Sequence, residues 1–387
     1  MLYLCAKGGN KMNKKSLIAL VSLASISLSA CSSVLDYKEH LDDYVYAMQF
    51  HNKFNIVQLT DIHWNYNSST MSSKAYLDKL LKQIDKHIKE EQGASAKIDL
   101  VEITGDLFML ANTYHVSKFI DFFEEKANEY GFKYAVIWGN HDRHGLYNPN
   151  WLSDRFRSAE HAIYIEPNDN LYGRSNFVIN LTDNGEVSGT AKWQIANLDS
   201  GASFSETAIS PFRDYDYIRK DQTDWFVKEH AKVGESVPAI AYYHIPQQDN
   251  LIAYKSRATR KNKFFKLENF DDNGNEVYAS DFITVGREHN LKAAFMGHAH
   301  NIDWTVDYDG VTVGLGVKTG TELYFAHIDV ESTMPEMQEG LASVGITENF
   351  DLIGASLVTI NDESSFDLEH VYYNERANED FVKWVKY

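Results

Sequence analysis

Five short apolar runs in this chain each break off into a cluster of Asp, Asn or His. Residues 55–60 lead into Asp61-Ile62-His63, residues 99–104 into Gly105-Asp106, and residues 134–138 into Gly139-Asn140-His141-Asp142. Residues 239–243 meet His244, and residues 292–296 meet Gly297-His298-Ala299-His300. A carboxylate or imidazole is costly to bury unless something pairs with it or binds it. If the runs are strands of one architecture, their clusters gather where α/β sheets place ligand sites, at the carboxyl ends of the strands. Five such groups point to one convergent, metal-loaded site. Asp61 and His63, two apart in extended chain, can face the same side, and so can His298 and His300.

Between the runs the spacing turns helical. Tyr76, Leu77, Leu80, Leu81, Ile84 and Ile88 recur at helical intervals within 71–91, and 115–130 and 219–231 read the same way. Strands alternating with helices argue for βαβ units and a sheet covered by helices, an α/β class. Further strands are expected at 176–181 and 192–198 around the turn Asp183-Asn184-Gly185. Others fall at 303–308 and 311–315 around Asp309-Gly310, and at 357–360 and 367–373. Residues 53–387 read as a single catalytic domain, with 255–275 and 330–350 as loop-like insertions.

Composition narrows the function classes. The chain has 387 residues, 44% of them hydrophobic, and a formal net charge of −18, which disfavours nucleic acid and anionic membrane surfaces as partners. Bound cations can still reverse the local field for a small anionic substrate. Lys14 and Lys15 precede an apolar run over 17–28 and then Leu28-Ser29-Ala30-Cys31, the order of a secretory signal. The last four residues resemble the bacterial lipobox. That implies a signal peptide over 1–31, a lipid anchor on Cys31, a polar tether over 32–52 and export to a periplasm-facing outer membrane. Met12 is an alternative start to Met1. Loss of residues 1–30 removes Lys7, Lys11, Lys14 and Lys15 and leaves a charge of −22. Cys5 and Cys31 are the only cysteines, so any metal in the folded domain has N and O donors.

The five blocks, in order, resemble the calcineurin-like metallophosphoesterase superfamily: DxH, GDxx, GNHD, a lone His and GHxH. The resemblance implies a two-sheet β sandwich flanked by α-helices, four layers in the order α/β/β/α. It implies that Asp61, His63 and His300 bind one metal, that Asp106 bridges, and that Asn140, His244 and His298 complete a second. A hydroxide between two divalent ions (Mn, Fe or Zn) would then attack phosphorus. His141 would stabilise the phosphate and protonate the leaving group, and Asp142 would hold its imidazole. Gly173-Arg174-Ser175-Asn176, Asn197-Leu198-Asp199, Gln222-Thr223-Asp224-Trp225 and Tyr243-His244-Ile245-Pro246 resemble the branch related to purple acid phosphatases. Met109 stands where that branch's iron-binding Tyr would be and His63 is present, so no purple ferric centre is expected.

The expected activity is a metal-dependent phosphatase acting on a small phosphate monoester. A phosphodiesterase or nucleotide pyrophosphatase is the alternative on the same site, and a non-catalytic surface binding lipoprotein the alternative of another class. No protein partner is expected. Asn176, Asp199 and Gln222 are given structural roles, and Arg143 and His144 are read as exposed loop charges. Trp64 and Tyr66 are candidates for a substrate wall. His51, His87, His115, His161, His230, His289, His327 and His370 are assigned to surface or packing.

Overall fold

In the first apolar run, Phe54 and Ile56 point into one hydrophobic layer while Val57 and Leu59 point into another. A strand whose two faces are both covered belongs to the middle of a layered fold. The computed structural model describes residues 44–64, 73–109, 111–143, 149–166, 170–202, 215–257, 280–343, 345–374 and 379–387. The signal-like segment with Cys31, Tyr66, His144 and positions 258–275 of the first insertion lie outside them.

The first half of the described chain runs β1 (Val45–Gln49), β2 (Phe54–Leu59), α1 (Ser73–Gln92), β3 (Leu100–Thr104), α2 (Thr113–Tyr130), β4 (Lys133–Ile137), α3 (Pro149–Arg157), β5 (Ala162–Ile163), β6 (Phe177–Thr182) and β7 (Ala191–Asn197). It continues through α4 (Lys220–Val233), β8 (Ala239–Tyr242), α5 (Gln248–Arg257), α6 (Phe282–Glu288), β9 (Leu291–Met296), β10 (Thr305–Tyr308) and β11 (Val311–Leu315). The last elements are β12 (His327–Ile328), α7 (Pro335–Ser343), β13 (Phe350–Ile360), β14 (Phe366–Asn374) and β15 (Glu379–Lys386). One sheet has the order β1-β6-β7-β8-β9-β11-β10; the other has β15-β14-β13-β2-β3-β4-β5, with β12 on β13.

Phe54, Ile56, Leu100, Ile195, Ile240 and Phe295 fill the space between the sheets. α1, α2 and α3 cover the outer face of the second sheet through Leu77, Leu80, Ile84, Phe119, Phe123 and Phe156. α4, α5 and α6 cover the first through Phe226, Tyr254 and Phe282. The layers are therefore α/β/β/α, the order that the resemblance implies. α1 buries the i, i+3, i+4 stripe its spacing predicts, and each buried Leu or Ile there contributes about 1.5–3 kcal/mol of transfer free energy. The turn at Asp309 (φ 54°) and Gly310 (φ 88°) has both central residues left-handed, and the strands it joins pair antiparallel.

Two sequence expectations change. The stretch read as tether holds β1, which pairs in parallel with β6 from Val45↔Val178 to Gln49↔Thr182, so ordered structure begins before residue 53. The stretch 330–350 is not loop-like. It contains a short 3₁₀ turn (Val330–Ser332) and α7, and Leu341, Ile346 and Phe350 pack with Val317, Ile328 and Val385 in a small core of their own.

Candidate metal centre

The candidate ligands sit on the loops that leave β2, β3 and β4 in one sheet and β8 and β9 in the other. Backbone hydrogen bonds tie the first two loops together: Asp61 N donates to Gly105 O (3.1 Å), His63 N to Asp106 O (2.9 Å) and Trp64 N to Leu107 O (2.7 Å). The conformations they hold are costly. Asp61 (φ 52°), His63 (φ 47°), Asp106 (φ 50°) and His298 (φ 75°) are all left-handed, although none is glycine. Such residues persist where neighbouring contacts over-determine them, and they concentrate at functional sites. Glycine supplies the close approaches. A Cβ at Gly105 would stand 2.5 Å from His244 Nδ1, and one at Gly297 would stand 1.9 Å from Thr60 Oγ1.

The side chains converge in two overlapping groups. In the first, Asp61, His63, Asp106 and His300 bring ligand atoms within 4.8 Å of one another. His300 Nε2 lies 3.1 Å from Asp61 Oδ1 and 3.2 Å from His63 Nε2, and His63 Nε2 lies 3.7 Å from Asp106 Oδ2. Asp106, His244 and His298 form the second group, with His244 Nε2 3.3 Å from Asp106 Oδ1. Asn140 Oδ1 completes it, 3.1 Å from His244 Nε2 and 2.9 Å from His298 Nδ1. Asp106 belongs to both groups, one carboxylate oxygen toward each.

These residues fit divalent cations on their own geometry. Two imidazole nitrogens that face each other across 3.2 Å, with a carboxylate beside them, present converging lone pairs that a cation would satisfy. The far nitrogens, His63 Nδ1 and His300 Nδ1, find no hydrogen-bond partner among the described residues. His244 is oriented from behind: its Nδ1 lies 2.9 Å from Thr104 O, which fixes the proton there and turns Nε2 toward the site. Burial, chiefly, pushes His63 and His298 down to about 3, which favours the neutral form a metal ligand needs. Burial also works against a charged His244, but the Asp106 carboxylate outweighs it and holds that imidazole up to about 10. Burial raises Asp61 and Asp106 as well, yet His300 and His244 respectively bring both well below the usual carboxylate range.

His141 is placed differently. Its backbone N–H donates to Asp106 Oδ1 (2.8 Å), its Nε2 stands 4.0 Å from Asp106 Oδ2, and its side chain is 25% exposed where His63 and His244 are fully buried. Asp142 does work other than that expected of it. Its Oδ1 accepts from Leu107 N (2.9 Å) and Phe108 N (3.2 Å), and its Oδ2 from Gly139 N (2.9 Å), which clamps the Asp106 loop to the Asn140 loop. Burial and the nearby Asp106 push this carboxyl up to about 8.

The reading of Arg143 as an exposed loop charge is overturned by its ion pair with buried Asp199. Trp64 is no substrate wall: it is fully buried and packs on Phe119 and Phe122. Gln222 donates to Asn176 Oδ1 (2.8 Å) and Asp199 O (2.7 Å), a structural brace. Sequence reasoning missed Lys318. This buried lysine donates to Asp61 O (2.8 Å), and burial brings it down to about 8 despite Asp61 and Asp106. Its sequence signal is weak, a single Lys between Gly316 and Gly320.

A family model for calcineurin-like phosphoesterases matches residues 54–301, nearly two thirds of the chain and all five ligand loops. The chain belongs to the calcineurin-like phosphoesterase family. It is accordingly a phosphoester hydrolase of the metallophosphoesterase type. Among relatives, "Probable inactive purple acid phosphatase 14" of Arabidopsis thaliana is 23% identical over 76% of each chain. "Phosphatase DCR2" of Saccharomyces cerevisiae is 25% identical over 66% of this chain and 46% of its own. A solved dimetal phosphatase from Danio rerio aligns with 86% of this chain and 99% of its own at 10% identity and a TM-score of 0.44.

Proposed function

We propose that the chain is a phosphomonoesterase that works with two divalent cations, one in each ligand group. The observation that carries this reading is the shared carboxylate, Asp106, between two groups that are each complete in N and O donors. Some relatives are named inactive, but here all seven candidate ligands and His141 stand together. Two divalent cations would supply positive charge to the phosphoryl oxygens and turn water into a nucleophile at neutral pH.

The chain's own residues supply the rest. Asp61, His63 and His300 would hold one cation and Asn140, His244 and His298 the other, with Asp106 shared between them. His141, the partly exposed imidazole beside Asp106, stabilises the charge that builds on the phosphoryl group and carries a proton to the departing oxygen. Asp142 keeps the Asp106 and Asn140 loops at their spacing.

The test uses the full chain with nitrophenyl phosphate and bis(nitrophenyl) phosphate, in the presence of Mn, Fe(II) or Zn in turn. Hydrolysis of the monoester in preference to the diester is expected. Asp106→Asn should lower kcat by at least about 10³-fold, because one carboxylate serves both groups, and should also lower the metal content measured by elemental analysis. Preference for the diester would move the assignment to a phosphodiesterase. No turnover with metal bound would make it a binding protein.

A further inference from the structure

Residues 317–324 are laced to the loop that carries Asp61. Thr319 N donates to Thr60 O (2.8 Å), Gly320 N to Asp61 O (3.2 Å), Thr60 N to Thr319 Oγ1 (3.1 Å) and Lys318 Nζ to Asp61 O (2.8 Å). At Gly320 a Cβ would stand 1.9 Å from Ile62 O, so the two backbones lie against each other. The segment then passes through Leu323 at φ 60°, a left-handed conformation that a leucine seldom adopts. The turn leaves Leu323 38% and Tyr324 55% exposed, and sets the Tyr324 ring 4.9 Å from the ring of His300. On the other histidine of the same motif, the Tyr215 ring meets His298 edge-on at 4.2 Å. Each ligand group thus has a tyrosine ring against its GHAH histidine.

An exposed Leu–Tyr pair, presented by a strained turn next to a metal ligand, is an unusual way to spend apolar surface. A phosphate group could accept a hydrogen bond from the Tyr324 hydroxyl, but it offers nothing to Leu323 or to the face of the Tyr324 ring, whereas the organic part of an ester does. We propose that Leu323 and Tyr324 form a specificity lip that stacks on a planar aromatic group of the substrate, an aryl ring or a nucleobase, while its phosphate occupies the metal centre. The proposal rests on the hydrolase reading above and names its substrate class. Aromatic faces suit this role because stacking is favourable on any π surface and needs no directional hydrogen bond.

The experiment compares the wild-type full chain, Tyr324→Ala and Tyr324→Phe, all loaded with Mn, on phenyl phosphate, adenosine 5′-monophosphate and glycerol 2-phosphate. Relative to glycerol 2-phosphate, Tyr324→Ala should lose about 10-fold in kcat/KM on the aromatic ester that fits, and Tyr324→Phe should keep it. Loss on phenyl phosphate alone marks an aryl substrate, and loss on the nucleotide alone a nucleoside substrate. An equal fall on all three esters overturns the proposal. Calorimetry with two ligands that resist hydrolysis, phenylphosphonate and methylphosphonate, gives a readout independent of turnover. The wild type should bind the phenyl compound more tightly, and Tyr324→Ala should bind both alike. Equal affinity of the wild type for the two, or binding of neither, also overturns the lip. If the wild type hydrolyses none of the esters, the hydrolase reading fails, and the phosphonate pair still decides the aromatic contact.

Discussion

Glu102 sits on β3 on the same face as Leu100, turned toward the other sheet near Asn197 and Tyr242. Burial pushes its carboxyl from the usual 4.5 up to about 8, with the Asn197 amide beside it working the other way. A carboxyl whose pKa is raised on folding binds its proton more tightly in the native state. Its contribution is therefore complete below pH 4.5 and is lost as pH rises toward about 8. The wild type should lose stability across that window, and the neutral Glu102→Gln should not, so the variant should be more stable at pH 9 by a few kcal/mol (order of magnitude). Urea melts at pH 5, 7 and 9 check this; parallel profiles for the two proteins would sink it. Single residues differed in how readable they were. Asp61, Asp106 and His244 stood out because a polar residue directly after an apolar run has an unexplained burial cost. Glu102 and Lys318 did not, since their neighbours come from the opposite sheet and from the 60–62 loop, which lie far away in sequence.

At the scale of elements, the site depends on loops held to one another. The Asp142 carboxylate takes three backbone N–H groups from two of them. Asp142→Asn replaces one acceptor with a donor that faces Gly139 N–H, so the two loops should spread. The expected result is a metal affinity lower by about 10–100-fold, measured by chelator competition, with the far-UV circular dichroism unchanged. Unaltered affinity would mean the clamp is dispensable. The strands that end in the site, the α1 stripe and the Asp309-Gly310 hairpin were all legible, because each has a strong local period or turn signal. β1 is a partly exposed edge strand whose partner β6 lies far along the chain, and β5 is only two residues long. α3 and α7 both begin with proline, at Pro149 and Pro335, and that helix-start signal was available in the sequence. The stretch 330–350 lacks a continuous apolar stripe to accompany it. Asp142 was legible as a site residue, but its partners are backbone groups, which no side-chain pattern reveals.

At the scale of the molecule, the ligand groups bridge the two sheets. Asp61, His63, Asp106 and Asn140 come from one and His244, His298 and His300 from the other. Cations bound there would hold the sheets together at one end, where the layer between them turns from Phe54 and Ile56 to the polar Gln58, Glu102 and Thr104. Stripping divalent ions with a chelator should lower the melting temperature of the whole domain. A metal present at 100 times its Kd adds about 2.7 kcal/mol, and calorimetry with Mn or Zn restored should recover it. A melting temperature indifferent to chelation would count against a bridging site. The four-layer architecture could be anticipated only through the resemblance, because alternation of strands and helices alone does not say that the strands divide into two sheets.

The left-handed backbone at Asp61, His63, Asp106 and His298 sets stability and chemistry against each other at four positions. Each strained residue costs on the order of 1–3 kcal/mol. A population of variants selected only to resist heat, with no phosphate ester to cleave, is expected to accumulate glycine or asparagine at these positions first, and so to erase its ligands while its fold improves. The same substitutions offer a way to separate the two demands: a variant that gains stability as it loses metal would show how much of the fold's free energy is held in reserve for the reaction.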